Sequence, residues 1–150
     1  MDRDRVYVAI SDIGFLSARP FRLDPEAGGG LFGLDLATGK VALAIPPVPC
    51  GERIQCSPAL SAAVTVIPGV VFSGSVSGIL RAYATADGHL LWETDTARDF
   101  DTVNNVPAHG GAMNGPGPTI VDGMLYVTSG YAPWGEATGN VLLAYSVRDQ

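Results

Sequence analysis

Apolar residues fall into short runs along the chain, separated by glycine, proline and polar turns. Runs such as VVF at 70–72 and LLAY at 142–145 are apolar on consecutive positions. A strand with one solvent-exposed face would alternate apolar and polar residues, so consecutive apolar residues indicate strands buried on both faces. Helical periodicity is absent almost everywhere. The pattern therefore predicts an all-β protein built from many short strands.

This strand pattern recurs along the chain. The segment LFGLDLATGKVALAI at 31–45 aligns with LRAYATADGHLLWET at 80–94, and each has an apolar strand, a tight turn and a second strand. The turn glycines Gly39 and Gly88 lie 49 positions apart, and a further copy begins at residue 141. Four short strands in a period of about 50 residues are typical of a β-propeller blade.

Within each blade the strands are lettered A to D in chain order. In the first blade the predicted strands are B at 6–10, C at 31–36 and D at 41–45. In the second blade they are A at 59–67, B at 70–75, C at 79–84 and D at 89–93. In the third blade they are A at 118–121, B at 124–128 and C at 141–146. The predicted fold is a partial β-propeller of about three four-stranded antiparallel blades, at approximately 1–58, 59–117 and 118–150. Such blades cannot close a ring, so they need the remaining blades of a longer parent protein, or further copies of this chain.

The long connections are predicted to share one edge of the blades. Antiparallel order places the connections 11–30, 46–58, 94–117 and 129–140 at the same edge. The opposite edge has short turns, such as Asp122-Gly123. Functional residues concentrate on elaborated loops that a rigid scaffold holds, so we expect the site at the long-loop edge.

Composition and charge narrow the possible functions. The chain of 150 residues is 47% hydrophobic and 16% charged, which suits one dense core. Its formal net charge of −6 argues against a nucleic-acid partner, which would need a clustered basic surface. No apolar run approaches the roughly 18 residues of a membrane span. The segment MDRDRVYVAIS at the start does not have the pattern of a signal peptide.

Cys50 and Cys56 are close in sequence, in a loop that contains proline and glycine. They form either a disulfide or two free thiols, and a disulfide would indicate an oxidising compartment. A zinc site is not expected, because the spacing fits no zinc template and neither His89 nor His109 is near in sequence.

The repeats LDLATGKVAL and YATADGHLLW resemble the tryptophan-docking repeat of the quinoprotein family. Trp92 occupies the tryptophan position in the second blade, and Leu43 replaces it in the first. From Cys56 to Tyr131 the sequence resembles the C-terminal part of polyvinyl-alcohol dehydrogenases. That resemblance implies a fragment of a periplasmic, eight-bladed propeller enzyme. The enzyme would use pyrroloquinoline quinone (PQQ) and calcium, oxidise alcohols, and pass electrons to a c-type cytochrome.

The resemblance also implies a set of candidate cofactor-binding residues. They are Arg98, Asp99, Asn105, His109, Gly110, Gly111 and Trp134. An arginine can bind a PQQ carboxylate in bidentate fashion, and glycines allow close approach of backbone to a flat ring. His109 is a candidate acid–base or orienting group. For each of these residues the alternative is an ordinary surface, turn or packing role.

Two features of the family motifs differ in this chain. Tyr131 stands where the wider family has an asparagine that binds calcium, and the segment GGAMNGPG lacks the family's tryptophan beneath the quinone. The family's catalytic aspartate has no counterpart within the 150 residues, so no catalytic base is assigned.

Two functions therefore remain open from the sequence. The first is part of a PQQ-dependent dehydrogenase that converts secondary alcohols, such as polyvinyl alcohol, into ketones. The second is a non-catalytic propeller that serves as an assembly scaffold or a sensor ectodomain. The long loop at 94–117, which bears arginine and histidine, favours the enzyme.

Overall fold

The computed structural model of the protein describes residues 4–146, which form an all-β structure. Its strands are β1 (Arg5–Ile10), β2 (Phe15–Ala18), β3 (Phe21–Leu23), β4 (Gly30–Asp35), β5 (Val41–Ile45), β6 (Thr65–Ile67), β7 (Val70–Gly74), β8 (Ile79–Ala84), β9 (Leu90–Asp95), β10 (Asp99–Phe100), β11 (Ala108–His109), β12 (Thr119–Val121), β13 (Met124–Ser129) and β14 (Val141–Ser146). Within these residues no helix is long and apolar enough to cross a membrane. The ends of the predicted domain, 1–3 and 147–150, lie outside the described residues.

The strands form three main antiparallel sheets. The first sheet has the order β1-β4-β5, the central sheet β6-β7-β8-β9 and the third sheet β12-β13-β14. The predicted all-β class and antiparallel pairing are confirmed, and the central sheet has the predicted four strands. The first and third sheets contain three described strands each.

One predicted strand is much shorter in the structure. Strand A of the second blade was expected over 59–67, but β6 covers only its last three residues. The preceding backbone bonds to loops instead, because Val76 N donates to Ala59 O at 2.9 Å and Ala63 N donates to Gly115 O at 3.0 Å. The segment is thus paired and largely buried without joining the sheet.

The backbone confirms the 49-residue repeat at atomic detail. Gly39 N donates to Asp35 O and Gly88 N donates to Ala84 O, each at 2.8–2.9 Å, and both pairs are 49 positions apart. The register shifts in the two hairpins also coincide, since one falls at 33/34 and the other at 82/83. Leu43 and Trp92 therefore occupy the same structural position, as the alignment predicted.

The central sheet is packed between the other two. One apolar cluster joins it to the first sheet, through residues such as Leu31 and Val71. A second cluster joins it to the third sheet, through residues such as Leu80 and Leu125. All six residues of β8 are buried, so this strand is covered on both faces. The same prediction was wrong for the run LLAY at 142–145, because Leu142 and Ala144 of β14 are exposed on the outer face of the third sheet.

The long connections meet at one end of the stacked sheets. A third apolar cluster gathers Leu23, Ala59 and Ala112 from three of the long connections, together with Val76 from the short turn between β7 and β8. Two of these connections contain hairpins that the sequence analysis did not predict, β2–β3 and β10–β11. The short turn at Asp122-Gly123 has φ angles of 48° and 74°, as a tight hairpin turn requires.

Candidate functional site

Two of the sequence-predicted side chains meet on the hairpin β10–β11. Asp99 and His109 are paired across the hairpin, and Asp99 Oδ1 lies 2.7 Å from His109 Nδ1. Asn140, in a neighbouring loop, holds this hairpin with two hydrogen bonds. Its side-chain Oδ1 accepts from the backbone N of His109 at 3.0 Å, and its backbone N donates to His109 O at 2.8 Å. When Nδ1 carries the ring proton, Asp99 orients the imidazole and Nε2 can accept a proton.

The hairpin borders an open cleft of about 890 Å³, which we call the hairpin cleft. Asp99, Asn105 and His109 of the predicted set line it, together with Asp101 and Asn140. Asn105 has a φ of 55°, in the left-handed region that asparagine tolerates better than most residues. The structure thus brings three of the seven predicted cofactor-binding residues to one cleft.

Arg98 lies beside the hairpin cleft but does not line it. Its guanidinium carbon is 4.1 Å from the centroid of the Phe100 ring, a cation–π contact, and Nη1 donates to Asp99 O at 3.3 Å. Within residues 4–146 the guanidinium forms no salt bridge. It is therefore available to a carboxylate ligand.

Gly110 and Gly111 lack side chains, and in this structure the space beside them is taken by the backbone of other segments of the protein. A Cβ at Gly110 would overlap Thr96 O, and one at Gly111 would overlap Ala137 O. Ser129 Oγ accepts from Gly111 N at 2.9 Å. Both glycines are buried, and neither lines the hairpin cleft. A contact of these glycines with a cofactor ring stays a prediction.

Trp134 lies in a different part of the loop end from the hairpin. It is 65% exposed, so its ring is not packed beneath its own loop. Trp134 lines a second open cleft, of about 820 Å³, which also contains residues of β1 and of segment 60–64. Because two other exposed aromatic residues, Phe15 and Phe21, also line it, we call it the aromatic cleft.

A buried carboxylate near the aromatic cleft was not identified from the sequence. Glu136 is only 3% exposed, and it accepts hydrogen bonds from Asn114 Nδ2 at 2.9 Å and from Trp134 N at 2.7 Å. It therefore ties the loop that carries Trp134 to the segment that follows the paired glycines. The sequence signal was a single acidic residue in an otherwise uncharged loop, GYAPWGEATGN.

Cys50 and Cys56 form a disulfide, which decides between the two alternatives left open by the sequence. The loop it closes is anchored to the central sheet by Arg53, which forms a salt bridge with Asp95 and donates to Ser77 O at 3.2 Å. A third cleft, lined by Arg53, Asp95 and His109, separates this loop from the hairpin. The disulfide loop and the hairpin are therefore neighbours.

No complete site for calcium or for PQQ is seen among the described residues. No group of three or more His, Cys, Asp or Glu side chains within 4–146 could hold a metal ion, and Tyr131 is 61% exposed. PQQ carries three carboxylates, whereas the hairpin cleft is lined by the carboxylates of Asp99 and Asp101. Arg98 beside it offers one cation for such a ligand.

Comparison with known proteins identifies two similar sequences. The chain is 43% identical over 162 residues to a polyvinylalcohol dehydrogenase of Pseudomonas sp, and 40% identical over 160 residues to one of Sphingopyxis sp. (strain 113P3). Each alignment covers 97% of this chain and 24% of the relative's length. No family model matches the sequence. Over nearly its whole length, the chain is therefore homologous to polyvinylalcohol dehydrogenases, and it corresponds to about a quarter of their length.

Proposed function

We propose that the chain is part of a dehydrogenase that oxidises secondary alcohols, such as those of polyvinyl alcohol, to ketones. The observation that carries this proposal is the identity of 40–43% over 97% of the chain with two polyvinylalcohol dehydrogenases. The gathering of the long loops at one end of the sheets supports it, because such a surface suits a ligand.

Within this function, His109 is the group we assign to proton transfer. Oxidation of a secondary alcohol removes the hydroxyl proton and a hydride from the carbon. His109 Nε2 would accept the proton, while the bond between Nδ1 and Asp99 would hold the ring in position. Arg98, which stacks on Phe100, would bind a carboxylate of the cofactor.

The cofactor proposed from the resemblance is PQQ with calcium, and PQQ when bound supplies the hydride acceptor. Because the described residues offer one free arginine beside the hairpin cleft, the other binding groups would come from the remainder of the full-length protein. A c-type cytochrome is the proposed electron acceptor. The disulfide supports a periplasmic location, since disulfides persist in oxidising compartments.

We further propose that the three sheets are blades of a propeller in the full-length protein. Their stacking and the repeated hairpin geometry support this arrangement. The outer face of the third sheet also supports it, because Val121 and Leu142 there are 51% and 66% exposed. Neighbouring blades would cover such apolar faces.

The test of the enzymatic function uses the full-length protein. We expect it to reduce an electron-accepting dye with a secondary alcohol only after reconstitution with PQQ and Ca²⁺. Replacement His109→Gln should lower kcat and alter its pH profile, whereas Lys40→Gln, in an exposed turn of the first sheet, should change neither. Absence of both PQQ binding at micromolar concentration and PQQ-dependent turnover would contradict the proposal.

A further inference from the structure

Arg81 is a charged side chain in a strand that is buried along its whole length. It stands in the middle of β8, and only 10% of its side chain is exposed. Arginine is almost never buried to this extent unless it is paired. Its Nε donates to Glu93 Oε2 at 2.6 Å, but 44% of the Glu93 side chain is exposed. The carboxylate is therefore partly solvated, whereas the guanidinium is largely removed from water.

This ion pair satisfies only part of the Arg81 guanidinium. Among residues 4–146, no acceptor has hydrogen-bond geometry with Nη1 or Nη2. Tyr83 is nearby: burial raises the pKa of its phenol and Arg81 acts in the opposite direction, but no hydrogen bond of normal geometry joins the two side chains. Buried N–H groups without an acceptor are costly, so a further acceptor at the Nη atoms would be stabilising.

A small cavity of about 180 Å³ adjoins Arg81, between the central sheet and the disulfide loop. We call it the arginine cavity, because Arg53 lines it as well. Its wall on the side of the loop includes residues 48–50. Two cations and one carboxylate, that of Glu93, line the cavity, although the chain as a whole has a formal net charge of −6. The lining therefore favours a small anion.

Arg53 reaches the arginine cavity from the disulfide loop. Its Nη atoms bond to Asp95 and to Ser77 O, whereas its Nε forms no hydrogen bond with the described part of the chain. The disulfide between Cys50 and Cys56 closes the loop around this arginine. Both arginines are thus held in place before any ligand arrives, which reduces the conformational entropy that binding would cost.

We propose that the arginine cavity binds a small oxyanion, such as phosphate or a carboxylate, between Arg81 and Arg53. Oxygen atoms of the anion would accept hydrogen bonds from the Nη atoms of Arg81 and from Nε of Arg53, since guanidinium groups bind both phosphates and carboxylates. The anion would join the central sheet to the disulfide loop. Described residues supply both walls, so the site needs no further blade, and the inference does not depend on the proposed dehydrogenase function.

The test titrates the full-length protein with sodium phosphate, and separately with sodium acetate, in a calorimeter at constant ionic strength. We expect saturable binding of at least one of the two anions at millimolar concentration, and Arg81→Gln should weaken it about tenfold or more. Glu93→Gln should strengthen it, because this change removes a carboxylate that competes for Arg81. The control is Arg22→Gln, which changes an exposed arginine of β3 and should leave the affinity unchanged.

Glu93→Gln keeps the test decisive if Arg81→Gln does not fold. Tighter binding in Glu93→Gln supports the inference, and the anion that binds more tightly identifies the ligand as a phosphate or a carboxylate. If Arg81 and Glu93 form only a structural ion pair, Glu93→Gln should lower the melting temperature by the same amount with and without the anion. That result, or anion binding that is absent or equal in the unmutated protein and these variants, overturns the inference.

Discussion

The same position of the repeat occurs in all three sheets, and its leucine has a different environment in the third sheet from that in the other two. Leu31, Leu80 and Leu142 are each the second residue of their strand, in β4, β8 and β14. Leu31 and Leu80 have 0% of their surface exposed, whereas Leu142 is 66% exposed. Leu31 and Leu80 point at the next sheet in the stack, whereas nothing within residues 4–146 covers Leu142.

The difference shows that the repeat determines which residue type stands at this position, whereas the stacking of the sheets determines whether its side chain is buried. Leucine at this position is apolar in all three sheets, whether or not it is covered. The free energy it contributes depends on the apolar area removed from water, which differs between the sheets.

The largest effect is expected at the covered leucine. Leu80→Ala should lower the free energy of unfolding by about 2–5 kcal/mol, because it leaves a cavity between the central and third sheets. Leu142→Ala should change it by less than about 0.5 kcal/mol. Urea unfolding of both variants measures the difference.

The contradicting result is a similar loss of stability for both variants. It would mean that Leu142 is covered in solution, by another copy of the chain. Light scattering of the unmutated protein distinguishes a monomer from such an assembly, and it should be run at the concentration used for unfolding.

The next effect concerns the two links between the sheets. The link from the first to the central sheet carries the disulfide, whereas the link from the central to the third sheet is held by the hairpin β10–β11. Replacing Cys50 and Cys56 together by serine should lower the free energy of unfolding by about 2 kcal/mol on the loop-entropy model. A reducing agent should have a similar effect on the unmutated protein and none on the double variant.

A smaller effect is expected where the two repeats differ in sequence. Trp92 packs against Tyr145 of the third sheet, edge to face, with centroids 5.3 Å apart. Leu43 at the same position of the first sheet packs against the central sheet as an aliphatic residue. Trp92→Leu should cost about 1 kcal/mol, and a double-mutant cycle with Tyr145→Leu should give a coupling of about 0.5–1.5 kcal/mol. A coupling near zero would mean that the rings do not stabilise the contact.

The smallest effect is a dependence on alkaline pH. Burial raises the pKa of Tyr83 in the central sheet and of Tyr145 in the third sheet. Burial of the two neutral tyrosines contributes to the free energy of unfolding below about pH 10, where the tyrosines of the unfolded chain are also neutral. This contribution is lost as the pH rises through the higher pKa values that the tyrosines have in the folded protein. The free energy of unfolding should therefore fall above about pH 10, and less steeply in Tyr83→Phe. An equal slope in that variant would contradict the assignment to Tyr83.

Strands and turns could be predicted because their signals are local. The short apolar runs and the alignment of the repeats marked β7, β8 and β14 closely, and the turn glycines marked the hairpins. The hairpins β2–β3 and β10–β11 were missed because each has only two to four residues per strand, too few for a periodic pattern. Strand A of the second blade was overpredicted because loop contacts outcompeted its pairing.

The candidate site was only partly accessible to sequence reasoning. His109 and Asp99 were found because they share one polar loop, but their contact depends on hairpin pairing. Phe15, Phe21 and Trp134 are more than 110 positions apart at the extremes, and only the packing of two loops brings them to one cleft. Glu136 was missed because burial, which makes its carboxylate notable, is not visible in the sequence.

The sequence by itself determined the all-β class, the 49-residue repeat and the resemblance to polyvinyl-alcohol dehydrogenases, since each depends on residue type and spacing along the chain. The tertiary structure decided which repeat is buried on both faces, how the cysteines pair, and how the long loops divide between the hairpin cleft and the aromatic cleft. These features depend on which surfaces face each other. The same leucine is core in β8 and surface in β14 because burial belongs to a pair of sheets and not to a strand.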